Sequence, residues 1–248
     1  MTQDLSRPSL EFEANAEFPL NSLRQDAASI RLPAAGQAGE ALFVRRLEPS
    51  AALVVTKIRA GFDAASVEEL IRLNRSIAAG REAPKYLVID FAHERGEAQA
   101  APGRFEEFVA TTAELILDAP VITLAWARGP MAGADLDLAL HCSMLVAQQG
   151  ARFSFDGDPL AMLGVYSALA RKIGFVRTER LIENGETLDA QDMRQMCLAR
   201  EVVPTEAGNA PIEAFLRRCE RRYNASRAIF RAERLAAPLF DRSGARGG

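Results

Sequence analysis

Histidine is nearly missing from this chain, which has only His93 and His141 in 248 residues. So few imidazoles argue against a multi-histidine metal centre, and no metal site is expected. A Ser-His-Asp triad would have to use one of these two, and neither stands in a nucleophile context. Cysteine is almost as scarce. Cys142, Cys197 and Cys219 form no close-spaced pair. An odd number without Cys-x-x-Cys spacing points to reduced thiols in a cytoplasmic protein and against a disulfide framework. Excess charge is lacking too: 30 basic and 33 acidic residues leave a formal charge of −3. That balance gives no electrostatic case for nucleic acid or a membrane surface as partner. No run approaches the roughly 18 uninterrupted apolar residues of a membrane span. The opening MTQDLSRPSLEFEANAEF also lacks the basic-then-apolar design of a signal peptide.

What is present is the composition of an ordinary soluble globular protein, 48% hydrophobic and 25% charged. Its length suits one large domain or a domain with an extension. Residues 1–38 read as a polar arm with an optional strand near Leu10–Phe18. A core over 39–204 and a helical region with a tail over 205–248 follow. In the core, Ala41–Leu47 and Ala52–Ile58 are strand-like around a Glu-Pro-Ser turn. Ser66–Ala79 places Val67, Leu70, Ile71 and Ile77 on one helical face. YLVIDF (86–91) and Val121–Ala127 are nearly continuous apolar runs, as in strands covered on both faces. Helices are expected over Arg104–Leu117, Ser167–Ile173, Arg177–Asn184 and Ala190–Leu198, the last with Asp189 as N-cap. One long amphipathic helix is expected from about Ala210 to Leu235. Strands alternating with helices imply an α/β fold with crossover connections. The carboxyl-terminal third reads as nearly all helix, either packed on its own domain or serving as a subunit contact or lid.

The richest segment is DAPVITLAWARGPMAGADLDLALHCSMLVA, from Asp118 to Ala147. It reads as strand, small-residue turn, apolar helix and second strand. Acids inside an apolar helix are costly unless something uses or pairs them, so Asp135 and Asp137 stand out. The turn before the helix leaves backbone N–H groups available to an anion or an oxyanion. His141, four residues after Asp137, lies on the same helix face and can pair with it. His93 sits in a polar loop, where a surface role and a site role are both open.

This segment, followed by ARFSF, GVYSALARKIG and ENGETLDAQDMRQMCLAREVVP, resembles the enoyl-CoA hydratase/isomerase (crotonase) superfamily over roughly Ala41–Leu235. GVYSALARKIG and RRCERRYNASRAIFRAE resemble the diffusible signal factor synthase branch. The resemblance implies a crotonase-like spiral of ββα units with a helical carboxyl-terminal region, assembled as a homo-trimer or hexamer. It implies an acyl-CoA thioester as substrate, with coenzyme A entering only as part of that substrate and no other cofactor. In such enzymes two backbone N–H groups hold the thioester oxygen and carboxylates move protons.

Carried over by motif, the family's glycine triplet falls on Gly133, Ala134 and Asp135. Ala134 then supplies one oxyanion N–H, and Gly133 and Asp135 border the substrate. The first catalytic glutamate falls on Asp137, whose reach is shorter by roughly 1.5 Å. The second falls on Gly157. Asp156 and Asp158 flank that position, with Asp158 the candidate second acid, although Asp-Gly-Asp-Pro is also strong turn chemistry in any protein. The other oxyanion donor would lie near Gly96 to Ala98, in AHERGEAQAAPGRF. Two functions follow. One is a hydratase, isomerase or thioesterase working through Asp137. The other is a catalytically degenerate homologue acting as a binding or regulatory subunit, since every carried-over catalytic position is altered, some conservatively.

Overall fold

The computed structural model describes residues 37–38, 42–48, 50–57, 64–79, 84–92, 121–156, 163–206 and 208–236. The amino-terminal arm, the helix expected over Arg104–Leu117, His93, Gly96, Gly157 and Asp158 lie outside the described residues. In chain order the strands are β1 (Gln37–Ala38), β2 (Leu42–Leu47), β3 (Ala52–Lys57), β4 (Tyr86–Phe91), β5 (Ile122–Ala127), β6 (Pro130–Met131), β7 (Met144–Gln148), β8 (Arg152–Ser154), β9 (Thr187–Asp189) and β10 (Glu201–Val203). The helices are α1 (Ala64–Ala79), α2 (Gly133–His141), α3 (Leu163–Ile173), α4 (Phe175–Glu183), α5 (Ala190–Gln195), α6 (Ala210–Glu220) and α7 (Tyr223–Ala236).

A main sheet runs β1-β2-β3-β4-β5-β7-β10, and a small sheet runs β6-β8-β9. After the antiparallel β2–β3 hairpin, the main-sheet pairs from β3 to β10 are all parallel. Parallel strands need covered crossovers, and here ββα units supply them. β2-β3-α1 is one unit. β5-β6-α2 and β7-β8-α3 are two more, each sending its second strand into the small sheet. This is the mixed α/β architecture expected from the sequence.

Every residue of β4 and β5 is buried, because side chains alternate between two covered faces. On one face Leu87, Ile89 and Phe91 join Val67, Leu70, Ile71 and Ile77 of α1 and Leu136, Leu138 and Leu140 of α2 in one core. On the other, Val54, Tyr86, Val88, Leu124, Trp126 and Val146 meet Ile212, Phe215 and Leu216 of α6, with Tyr223 and Phe230 of α7 alongside. α2 and α6 therefore lie on opposite faces of the main sheet.

Three expectations are corrected. The expected long carboxyl-terminal helix is two, ending at Glu220 and restarting at Tyr223. The carboxyl-terminal third is not nearly all helix, because β9 pairs with β8 and β10 extends the main sheet beside β7. The Ala190 helix stops at Gln195, and Cys197 takes a positive φ of 59° before β10. Asp189 does cap that helix, accepting from the N–H groups of Gln191 and Asp192 at 2.8 Å each. The Asp192 carboxylate accepts the Asp189 N–H in return at 3.0 Å, a reciprocal capping box.

Candidate active site

α2 begins where β6 leaves the small sheet. Ala132 is extended and offers no side-chain cap. Gly133 follows at φ +52°, a left-handed conformation that side-chain-bearing residues adopt only at a cost. A Cβ built at Gly133 would meet nothing within 4 Å. The glycine is therefore needed for the backbone turn, not for space. The first N–H groups of a helix have no intrahelical acceptor, and Leu136 N–H reaches back to the Ala132 oxygen at 3.4 Å. The helix thus starts with its amides aimed out of its amino end, past an open glycine. Gly133→Ala is expected to cost about 1–2 kcal/mol through backbone strain alone. That should appear as a melting temperature lower by roughly 2–8 °C, and an unchanged melt would show that the left-handed start is not formed.

Beyond the first turn, Leu136, Leu138, Ala139 and Leu140 are all buried. Asp137 is buried with them, 6% exposed, and so is His141. The two are brought together as the i, i+4 spacing suggested: His141 Nδ1 stands 3.3 Å from Asp137 Oδ1. The same Nδ1 is 2.9 Å from the Asp137 carbonyl oxygen. A carbonyl only accepts, so Nδ1 carries the proton and donates it to the main chain at the shorter distance. Asp137 Oδ1 is left as a buried oxygen with no hydrogen bond of its own. An unsatisfied buried acceptor costs about 1–3 kcal/mol, and such atoms in native folds call for an explanation of their own. Asp135, in the first turn, is half-buried, where the positive end of the helix favours a carboxylate.

The second carboxylate is placed only in part. Strand β8 pairs in parallel with β6, Pro130 opposite Arg152 and Met131 opposite Phe153. The chain leaving β8 therefore starts level with the entry to α2. Phe155 N–H is tied to the Glu186 oxygen at 2.9 Å. Asp156 is exposed, its N–H 3.4 Å from Ser154 Oγ and its side chain against Gly185.

A further group of charges escaped the sequence reading. Asp90 of β4 is 1% exposed, on the face opposite α2. Its Oδ2 lies 3.4 Å from Arg128 Nη1, 3.9 Å from Arg45 Nη2, and 3.2 Å from the donating Thr56 Oγ1. The Arg128 guanidinium also stacks over the Trp126 ring at 4.6 Å. Burial pushes the Asp90 carboxyl above the usual carboxylate range, against the opposing pull of Arg128, Thr56 and Arg45. The signal was available: Asp90 interrupts the apolar run YLVIDF as Asp137 interrupts its helix. Among the described residues, no three His, Cys, Asp or Glu side chains are grouped to hold a metal ion. No described helix is long and apolar enough to cross a membrane.

The ββα fold is that of a known class. Residues 89–236, more than half of the chain, match the sequence profile of the enoyl-CoA hydratase/isomerase family. The chain belongs to that family. A curated relative, the 2,3-dehydroadipyl-CoA hydratase of Escherichia coli K12, is 30% identical over 86 residues, spanning 34% of each chain. The aligned stretch is thus about a third of that relative's length. Among solved structures, a monofunctional enoyl-CoA isomerase from M. smegmatis superposes with a TM-score of 0.66 at 19% identity, covering 81% of this chain and 97% of the other. An enoyl-CoA hydratase/carnithine racemase from Magnetospirillum magneticum gives 0.61 at 21% identity, covering 82% and 84%. At such identities these two establish the fold.

Proposed function

We propose that the protein is an enzyme acting on a fatty acyl-CoA or enoyl-CoA thioester, with the amino end of α2 as oxyanion site and Asp137 as acid/base. The observation that carries this reading is the buried Asp137 oxygen without a resident hydrogen bond, one turn beyond the α2 amides. An acid desolvated at that cost is suited to a proton that arrives with the substrate.

In the proposed step the Asp137 carboxylate removes a proton from the carbon next to the thioester carbonyl. The C–H electron pair moves into the carbon–carbon bond, and the thioester oxygen takes the negative charge. Ala134 N–H receives that oxygen, with Gly96 N–H the candidate second donor and Gly133 and Asp135 lining the approach. Such donors act where charge develops, which is where they lower a barrier most. Returning the proton at a different carbon isomerises a double bond, and one acid suffices for that. Hydration needs a second acid, for which Asp158 is the candidate. The synthase-like segments Gly164–Gly174 and Arg217–Glu233 favour a diffusible signal factor synthase type of activity, hydration joined to thioester hydrolysis, in a homo-trimer or hexamer.

Turnover of 2-enoyl-, 3-enoyl- and saturated acyl-CoA by the purified protein tests this. Thermal shift with the same compounds runs in parallel, since ligand at 100 times its Kd stabilises by about 2.7 kcal/mol. Stabilisation together with turnover of at least one compound is the expected result. Binding without any turnover would instead assign a binding or regulatory role, and no shift with any CoA compound would remove the thioester altogether.

A further inference from the structure

The ion pairs that the buried Asp90 makes with the partly exposed Arg128 and Arg45 are poorly explained as a device for stability. A buried ion pair is commonly no better for folding than apolar residues of similar volume. This one also leaves atoms unserved: Asp90 Oδ1, Arg45 Nε and Trp126 Nε1 are buried without a hydrogen-bond partner. An arrangement that adds little net stability is better explained by the geometry it specifies.

That geometry concerns one short connection. Arg128 is the first residue after β5, and α2 begins five residues later at Gly133. Between them the chain has little slack. Gly129 oxygen accepts from Arg152 N–H at 3.3 Å, and Pro130 and Met131 pair with β8. The Arg128 side chain is fastened at two points, over the ring of the fully buried Trp126 and against Asp90. Asp90 is fixed from two further strands, by Thr56 of β3 and Arg45 of β2. Arg45 in turn donates to Asn209 Oδ1, at the start of α6. The point where β5 hands over to β6 and α2 is therefore clamped from β2, β3 and β4 at once.

We propose that Arg128 and Asp90 are positioning residues for the oxyanion site: their part-buried ion pair fixes the level at which the chain enters α2, and with it the aim of the α2 amides. Arg128 touches no reacting atom in this account. It lies on the far face of the sheet and acts through the backbone it anchors. This inference rests on the thioester reading of the α2 amino end. Misplacing a donor by about 1 Å can cost on the order of 100-fold in rate.

The test is vibrational spectroscopy of an acyl-CoA carrying a carbon-13 label at the thioester carbonyl, bound to the full-length protein. Oxyanion donors polarise that carbonyl and lower its stretching frequency. The wild-type protein is expected to show the shift. Arg128→Met is expected to bind acyl-CoA within about twofold of wild type, to lose most of the shift, and to lose about 10- to 100-fold in kcat. Arg128→Lys keeps the charge without the planar stack on Trp126, should recover part of both, and serves as the second variant if the methionine protein does not fold. A wild-type shift that survives in Arg128→Met or Arg128→Lys at full kcat overturns the positioning role alone. So does a variant in which binding, kcat and melting temperature simply fall together. If the wild-type protein itself shows no shift, the oxyanion site is overturned, and the positioning role with it.

Discussion

Asp137→Asn is expected to lower kcat by about 10²–10⁴-fold, the usual contribution of a positioned general acid or base, while acyl-CoA still binds. Asparagine has the same shape but does not take up a proton at neutral pH. The fold has little reason to object. His141 donates its Nδ1 proton to the main-chain oxygen of residue 137, which the substitution leaves in place. Asp137 Oδ1 makes no hydrogen bond, and the amide oxygen of asparagine can keep the 3.3 Å approach to His141 Nδ1. The melting temperature should therefore stay within about 2 °C, because stability changes well under 1 kcal/mol move it little in a domain of this size. Side-by-side kinetics and melts check both halves. Equal turnover by the two proteins would remove Asp137 from the chemistry.

Trp126→Ala carries the largest expected effect on stability. Trp126 is fully buried at the centre of the second core, where β5 meets α6, and its ring also seats the Arg128 guanidinium. Truncating a buried tryptophan removes apolar contact and leaves a cavity, together about 3–5 kcal/mol. For a chain of this length that is a fall of roughly 6–20 °C in melting temperature. A loss below about 3 °C would mean that the face of the sheet beneath α6 is not packed as described.

The reach of the sequence followed how local each feature is. YLVIDF and VITLAWA announced central strands because a parallel sheet with both faces covered needs unbroken apolar runs. The Asp189 cap of α5 and the Asp137–His141 pair were legible for the same reason, since each partner lies within four residues of the other. The break between α6 and α7 was not. It falls at Arg221 and Arg222, with neither proline nor glycine to mark it, and the amphipathic pattern runs on across it. Strand β10 has three residues and exists only beside β7, so nothing in Glu201–Val203 itself sets it apart from a loop. The Asp90 group failed differently. Its members come from β2, β3, β4 and the end of β5, so only the sheet register brings them together, and an acid in an apolar strand was the sole local sign. At the site, family likeness placed Gly133, Ala134, Asp135 and Asp137 on one helix. The state of the Asp137 oxygen, buried and without its own hydrogen bond, is set by the packing around α2 and has no local mark in the sequence.

The proposed reaction requires a thioester at the amino end of α2 with Asp137 against its reacting carbon. A crystal structure with a bound, unreactive acyl-CoA analogue tests it most directly. The expected result is the thioester oxygen about 2.7–3.1 Å from Ala134 N–H and the Asp137 carboxylate facing the carbon beside the carbonyl. An acyl-CoA bound elsewhere, or bound at α2 with its carbonyl turned away from Ala134 and Asp137, would contradict it.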